Sequence, residues 1–274
     1  MIIPKVVAVH DLSCYGRCSL SVIIPILSNL QVQVCPLPTT ILSSHLGGYK
    51  NIAAVDLTDK LEEIDRNWQN EGLEFDCLYS GYLASPEQIE IVDTIFKKAK
   101  GNVLKVIDPV MGDHGKLYSK YTEEMQLEMR KFILNADIIT PNYTEACFLL
   151  GEPYQEVQEN LETIYEYLLR LAAWGIKNVI ITGVNLASGQ IANVGYNSDE
   201  EIFFVNKSPK IPVHYPGTGD VFTSVLLGYL LLGNDISIAL QKATDFVYKC
   251  IEKTYEQQTP IREGILLEAL IMEI

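Results

Sequence analysis

The chain has 274 residues, 48% hydrophobic and 20% charged, with 35 acidic against 21 basic side chains and a formal charge of −14. That apolar fraction argues against a disordered or collagen-like chain, and the length suits one large α/β domain or two small ones, with a single domain over 1–274 the expectation. The acidic excess argues against a nucleic-acid binder or a protein held on anionic lipid, both of which need a basic face, but it leaves an anionic small molecule open, because helix N-terminal N–H groups hold anions locally.

From the N-terminus, the first apolar run is about five residues long, too short for a signal peptide or a spanning helix, so the expected compartment is the cytoplasm. Short, β-branched, apolar segments at 5–9, 31–37, 76–80, 102–108, 136–140 and 178–182 read as strands. Helical patterns at 19–30, 56–71, 86–100, 122–135 and 158–174 alternate with them. That alternation, with strands apolar on both faces, is the signature of an α/β fold with a mostly parallel sheet between layers of helices. Ligands then belong at the carboxyl ends of the strands, where this sequence places His10 and Asp11, Thr39 and Thr40, 80–82, 108–113, 140–142, and Thr182 with Gly183. Between 190 and 212 the texture suggests an antiparallel hairpin, and from there the chain reads as helical to its end. The cysteines at 14, 18, 35, 77, 147 and 250 complete no zinc pattern and are expected as free, mostly buried thiols.

The sharpest local feature is Pro216-Gly217-Thr218-Gly219-Asp220 before the apolar run 221–232. Two glycines allow a tight turn and close backbone approach, and the following helix directs unpaired N–H groups at whatever occupies the turn. The plain structural alternative makes Asp220 a helix N-cap. There is no Walker sequence and no strand opening into a dinucleotide-binding glycine motif, so neither of those phosphate sites is present. DPVMGD at 108–113 sets two carboxylates beyond one strand, and TPNYTE at 140–145 sets an amide and a carboxylate beyond the next. Hard oxygen ligands of this kind suit Mg²⁺. A turn opened by Asp-Pro and a helix begun after Pro141 are the alternatives.

These motifs, with ITG at 181–183, the Tyr15-Gly16 turn and the segment 39–45, occur in an order and spacing that resembles the vitamin kinases of the ribokinase-like superfamily, most closely the pyridoxal/pyridoxine/pyridoxamine kinases. The resemblance spans nearly the whole chain and implies a ribokinase-like three-layer α/β/α sandwich, a homodimer, and ATP-dependent phosphorylation of a hydroxymethyl group on a small ring. It implies that Asp220 takes the proton of the substrate hydroxyl, while the N–H groups of Gly217, Thr218 and Gly219 stabilise the moving phosphoryl charge. Asp113 and Glu145 would act on Mg²⁺, partly through water, with Asp108 behind them. Asn142, Thr182 and Gly183 would lie along the nucleotide phosphates. The segment 114–118 would form a flap over the nucleotide that includes Lys116 and Tyr118. Thr39, His45 and Tyr82 would surround the acceptor ring, with Tyr82 stacking on its face and His45 reaching a substituent.

Asp11 stands where better-known members carry a serine, and an acid there favours a substrate with an amine or a ring N–H. Hydroxymethylpyrimidine kinases have an aspartate nearby, but usually carry a cysteine where this chain has Asp220. The expected activity is therefore that of a B6-vitamer kinase, with hydroxymethylpyrimidine phosphorylation as the second reading. A sugar or nucleoside kinase is the third, though such relatives generally add a β lid domain, and no insertion between 39 and 76 supplies one. A non-catalytic ligand-binding protein of the same fold is the reading from another class.

Overall fold

Parallel pairing needs strands that are apolar on both faces, and the segment 6–9, with no residue more than 2% exposed, meets that condition. A computed structural model describes residues 3–99 and 101–274. In chain order the strands are β1 (Lys5–Ser13), β2 (Gln33–Leu42), β3 (Ala54–Asp56), β4 (Cys77–Ser80), β5 (Leu104–Ile107), β6 (Gly112–Asp113), β7 (Lys116–Leu117), β8 (Ile138–Ile139), β9 (Asn178–Asn185), β10 (Gln190–Asn197) and β11 (Ile202–Pro209). The helices are α1 (Leu20–Asn29), α2 (Thr58–Asn70), α3 (Pro86–Lys98), α4 (Glu123–Phe132), α5 (Tyr143–Leu150), α6 (Glu162–Ala172), α7 (Thr218–Leu231) and α8 (Ile236–Glu256). Mostly parallel strands between helices make this an α/β fold. Expectations that touch Met1, Ile2 and Lys100 lie outside the described residues.

The chain divides into two compact units. The first takes in the described residues through Tyr79 together with Ile211–Ile274; the second is Ser80–Lys210. In the first, β2 pairs in parallel with β1, β3 runs antiparallel on the far side of β2, and β4 flanks β1. Opposite β1, the register slips: His10 faces Pro38 and Leu12 faces Ile41, so Asp11 stands against both Thr39 and Thr40. Such a bulge re-aims side chains at the end of a strand. Helix α7 is buried throughout 221–228, which is why its sequence carries no polar face.

In the second unit β5, β8 and β9 are parallel, β10 and β11 form the expected antiparallel hairpin, and β10 also runs antiparallel to β9. Strand β8 is only two residues long because Pro141 has no N–H to give the ladder. Pairing resumes one step later as an isolated parallel bridge between Asn142 and Thr182. Helix α3 starts on Ser85, whose hydroxyl accepts the Gln88 N–H, with Pro86 in the first turn. Helix α4 is capped in the same way by Thr122.

The fold departs from the sequence reading at several places, among them β2, read over 31–37 and found over Gln33–Leu42, and β9, read over 178–182 and found to run to Asn185. Strand β1 continues through His10 and Asp11 to Ser13 because those polar residues are buried with it. The edge strand β3 is exposed and carries no apolar alternation to announce it. The expected nucleotide flap is a two-residue hairpin, β6 to β7, with positive φ at His114 (49°) and Gly115 (74°), the geometry of the tight turns that suit strand twist. Beyond Glu256 the chain is not helical to its end: Pro260 and Gly264, at φ 77°, interrupt it, and two 3₁₀ turns follow. All six cysteines are free, four of them buried. Among the described residues no helix is long and apolar enough to cross a membrane.

Candidate active site

The glycine turn folds as its residues require. Gly217 caps α7 at φ 83°, and a Cβ there would sit 2.1 Å from the Arg17 carbonyl oxygen. A glycine cap offers no side-chain acceptor, so the N–H groups of Thr218 and Gly219 in the first turn are left facing outward. Asp220 is the third residue of the helix, and its carboxylate makes no cap. Instead Oδ2 accepts the backbone N–H of Ser19 at 2.8 Å. The N-cap alternative is thereby set aside. Burial raises the Asp220 pKa from 3.8 to about 7; the Ser19 bond opposes that rise and the charge of Asp11 adds to it. A carboxyl that titrates near neutrality is suited to general-base work.

Around Asp220 lie groups whose types alone did not reveal their arrangement. His10 is fully buried, with its ring edge-on to Tyr79 at a centroid distance of 4.4 Å. Burial lowers its pKa to about 3, so the imidazole is neutral, and its Nδ1, 3.9 Å from Asp220 Oδ1, forms no ion pair. Asp11 is 3% exposed. Its Oδ1 accepts the Ser19 hydroxyl at 2.6 Å and its Oδ2 the Ser13 hydroxyl at 2.9 Å. Burial raises its pKa, and the two hydroxyls oppose that. Asp11 was expected as an open hydrogen-bonding edge for an amine; in this unit both oxygens already accept from serines.

Thr39 is fully buried at the bulge. His45 packs its ring over Gly16, where a Cβ would fall 2.3 Å from Cδ2. Its Nδ1 accepts the Gly47 N–H at 3.1 Å, so the proton sits on Nε2, which donates to the Arg262 carbonyl at 2.7 Å. Burial lowers the His45 pKa. Both nitrogens serve the fold, which leaves the carbon edge of the ring for a ligand and not the polar contact expected from the sequence. Tyr82 belongs to the second unit, half-buried, in electrostatic contact with Tyr121.

That unit gathers the other expected carboxylates. Asp108 and Glu145 are 5% and 2% exposed, and the Asp113 side chain keeps 26% of its surface. Glu145 Oε1 accepts the Met111 N–H at 3.0 Å, and Oε2 accepts the Asn142 N–H at 2.8 Å. Asn142 Oδ1 takes the Glu145 N–H in return, completing a capping box on α5, and its amide donates to the Gly112 carbonyl at 2.9 Å. The helix begun after Pro141 is therefore real, and it carries the carboxylate as well. Burial pushes Glu145 well above the usual range; the charge of Asp108 adds to that, the two N–H bonds oppose it, and Asp113 adds further. Buried negative charge among hard oxygen donors fits a divalent cation such as Mg²⁺.

Asn142 and Thr182 face each other across their bridge, and Gly183 follows at φ 70° with open space above it. The Gly183 N–H is already taken by Asn193 Oδ1 at 3.0 Å. Tyr118, 43% exposed, leaves the hairpin with its N–H on the Met111 carbonyl. That hairpin is tied to α5 through Gly115 N–H to Thr144 Oγ1 at 3.0 Å, and Gly112 admits the Lys116 carbonyl where a Cβ would be 2.2 Å away.

Residues 26–263 match the model of a family described as phosphomethylpyrimidine kinase. The chain is similar to a pyridoxal kinase of Dictyostelium discoideum, 28% identical over 94% of this chain and 89% of the other. A Bacteroides thetaiotaomicron protein, provisionally assigned as a phosphomethylpyrimidine kinase and crystallised with pyridoxal, is 43% identical. It superposes with a TM-score of 0.94 over 99% of this chain and 96% of its own. A Lactobacillus plantarum pyridoxal kinase is 33% identical, with a TM-score of 0.90 over 99% and 96% of the two chains.

Proposed function

Because the chain belongs to the phosphomethylpyrimidine kinase family, we propose that it uses ATP to phosphorylate the hydroxymethyl group of a B6 vitamer, pyridoxal, pyridoxine or pyridoxamine, to the 5′-phosphate. The observation that carries this reading is Asp220, poised near pH 7 beside the glycine turn. Phosphoryl transfer asks for positioning, charge neutralisation and a base more than for covalent chemistry. Asp220 takes the hydroxyl proton, and the N–H groups of Gly217, Thr218 and Gly219 receive developing negative charge.

Asp113 would hold Mg²⁺, with Asp108 and Glu145 supplying negative charge from behind, in part through water. The ion would neutralise phosphate charge. Asn142, Thr182, Gly183 and Tyr118 serve the nucleotide. Asn142 acts mainly by ordering the N-terminus of α5, since both ends of its amide are engaged. Thr39, the His45 ring and Tyr82 serve the acceptor, and Asp11 contributes negative charge on that side. The whole of 1–274 acts as one kinase domain, in the cytoplasm and as a homodimer. A sole species at the 30.7 kDa chain mass in sedimentation velocity would contradict the dimer.

The relatives with pyridoxal or named pyridoxal kinase support the vitamer as acceptor. Hydroxymethylpyrimidine is the second reading, favoured by the acid at position 11 and by the family's description. A panel of the three vitamers and hydroxymethylpyrimidine decides between them. The highest kcat/KM is expected with a vitamer, and a preference for the pyrimidine overturns that choice. Binding with no ATP consumption on any acceptor would mark a non-catalytic protein.

A further inference from the structure

We propose that Ser19 is the positioning residue of the phosphoryl transfer: Asp11 anchors its hydroxyl, its backbone N–H holds one oxygen of Asp220, and the other oxygen is thereby left to take the substrate proton. The inference rests on Asp220 being the base.

Ser19 lies at φ 53° and ψ −137°, a conformation that residues with a Cβ rarely adopt. Such a backbone costs roughly 1–3 kcal/mol and persists only where its surroundings hold it. Three sets of bonds do so. The hydroxyl donates to Asp11 Oδ1 at 2.6 Å, the N–H donates to Asp220 Oδ2 at 2.8 Å, and the carbonyl accepts the N–H groups of Val22 and Ile23 at 3.0 Å, starting α1. A serine at a helix N-cap ordinarily turns its hydroxyl onto the helix it begins. Here the hydroxyl makes no cap and is turned onto Asp11. Ser13 holds the other oxygen of Asp11, so the anchor is itself fixed from both sides.

The result is an asymmetric carboxylate. Asp220 Oδ2 is committed to Ser19, while the neutral His10 ring approaches Oδ1 at 3.9 Å, beyond hydrogen-bond distance. The titratable groups that face Asp220 are His10, Asp11 and the Cys18 thiol. His10 stays neutral because burial lowers its pKa, and Cys18 because burial and the two carboxylates raise its own. Asp11 is then the neighbour whose charge tunes the base.

Steady-state kinetics on the full chain, with one vitamer throughout, tests the assignment. Ser19→Ala keeps the N–H and removes the anchor; kcat is expected to fall about tenfold, with KM for ATP within about twofold. Asp11→Ala cuts the same link, so the double variant is expected to lose no more than the worse single one. Asp11→Asn keeps an acceptor for the Ser19 hydroxyl but removes the charge, and the acid limb of the kcat profile is expected to move to lower pH. If Ser19→Ala does not fold, Ser19→Gly, which adopts φ 53° without strain, replaces it with the same expectations. A kcat within twofold of the parent in the Ser19 variant, losses that multiply in the double variant, or an unmoved acid limb in Asp11→Asn each overturn the assignment. An inactive Asp220→Asn beside a normal Ser19→Ala defeats the positioning role alone, whereas an active Asp220→Asn defeats the reading of the base.

Discussion

Glu145 and Asp220 are both carboxyl groups pushed above their usual range, yet Glu145 accepts two backbone N–H groups, from Met111 and Asn142, whereas Asp220 accepts one, from Ser19. Their like-charged neighbours differ too. Burial is the largest cause in both, but Glu145 then faces two like charges, Asp108 and Asp113, and Asp220 faces one, Asp11. A carboxylate bonded on both oxygens and crowded by negative charge is relieved by a cation. One buried, bonded on a single oxygen and faced by a single like charge is relieved by a proton. On the proposed function, the same side-chain chemistry would serve charge neutralisation in one unit and proton uptake in the other.

Asp220→Asn tests that division most severely. Turnover should fall about 10³-fold or more, with nucleotide affinity by calorimetry changed less than about twofold. A loss of only a few-fold would make the two carboxylates equivalent. Glu145→Gln should lower turnover about 10- to 100-fold and raise the Mg²⁺ concentration needed for half-maximal activity; an unchanged Mg²⁺ dependence would remove the cation from that unit.

Asp220 should also show itself in the pH dependence of stability. The folded Asp220 carboxyl is raised from 3.8 to about 7, so folding favours its protonated form, and its contribution to stability falls as pH rises between those values. Between pH 5 and pH 8 the parent should therefore lose roughly 2–3 kcal/mol that Asp220→Asn does not lose, read from denaturant melts at the two pH values. The smallest effect is expected of Asn142→Ala. Removal of the cap on α5 should cost about 1 kcal/mol and lower Tm by roughly 2–4 °C.

Much of the molecule was legible because the signals were local. Val6 to Val9 mark a buried strand by type alone, and Ser85-Pro86 announces a helix start. The carboxylates of DPVMGD and TPNYTE and the glycines of PGTGD stand out as candidates by type and spacing alone, without reference to a partner. What escaped the sequence depends on distant partners or on conformation. Ser19 meets Asp220 across 201 positions, and a serine side chain gives no sign of a φ of 53°. The His45 nitrogens looked available until Arg262, 217 positions away, and Gly47 claimed them. The 114–118 segment read as a loop because its pairing depends on positive φ at His114 and on the missing Cβ of Gly112, neither of which leaves an apolar pattern.

The close approach of Gly217 to the Arg17 carbonyl has a counterpart at Gly264, where a Cβ would lie 2.9 Å from the same oxygen. Gly264 also approaches the Pro216 carbonyl, and the Arg17 N–H donates to the Glu263 carbonyl at 3.3 Å. Residues 15–19, 216–220 and 262–264 therefore interlock backbone against backbone. For protein engineering this makes them a single cassette: a front loop grafted alone from another kinase would meet glycines shaped to a different carbonyl. The three segments would have to be exchanged together to keep that fit.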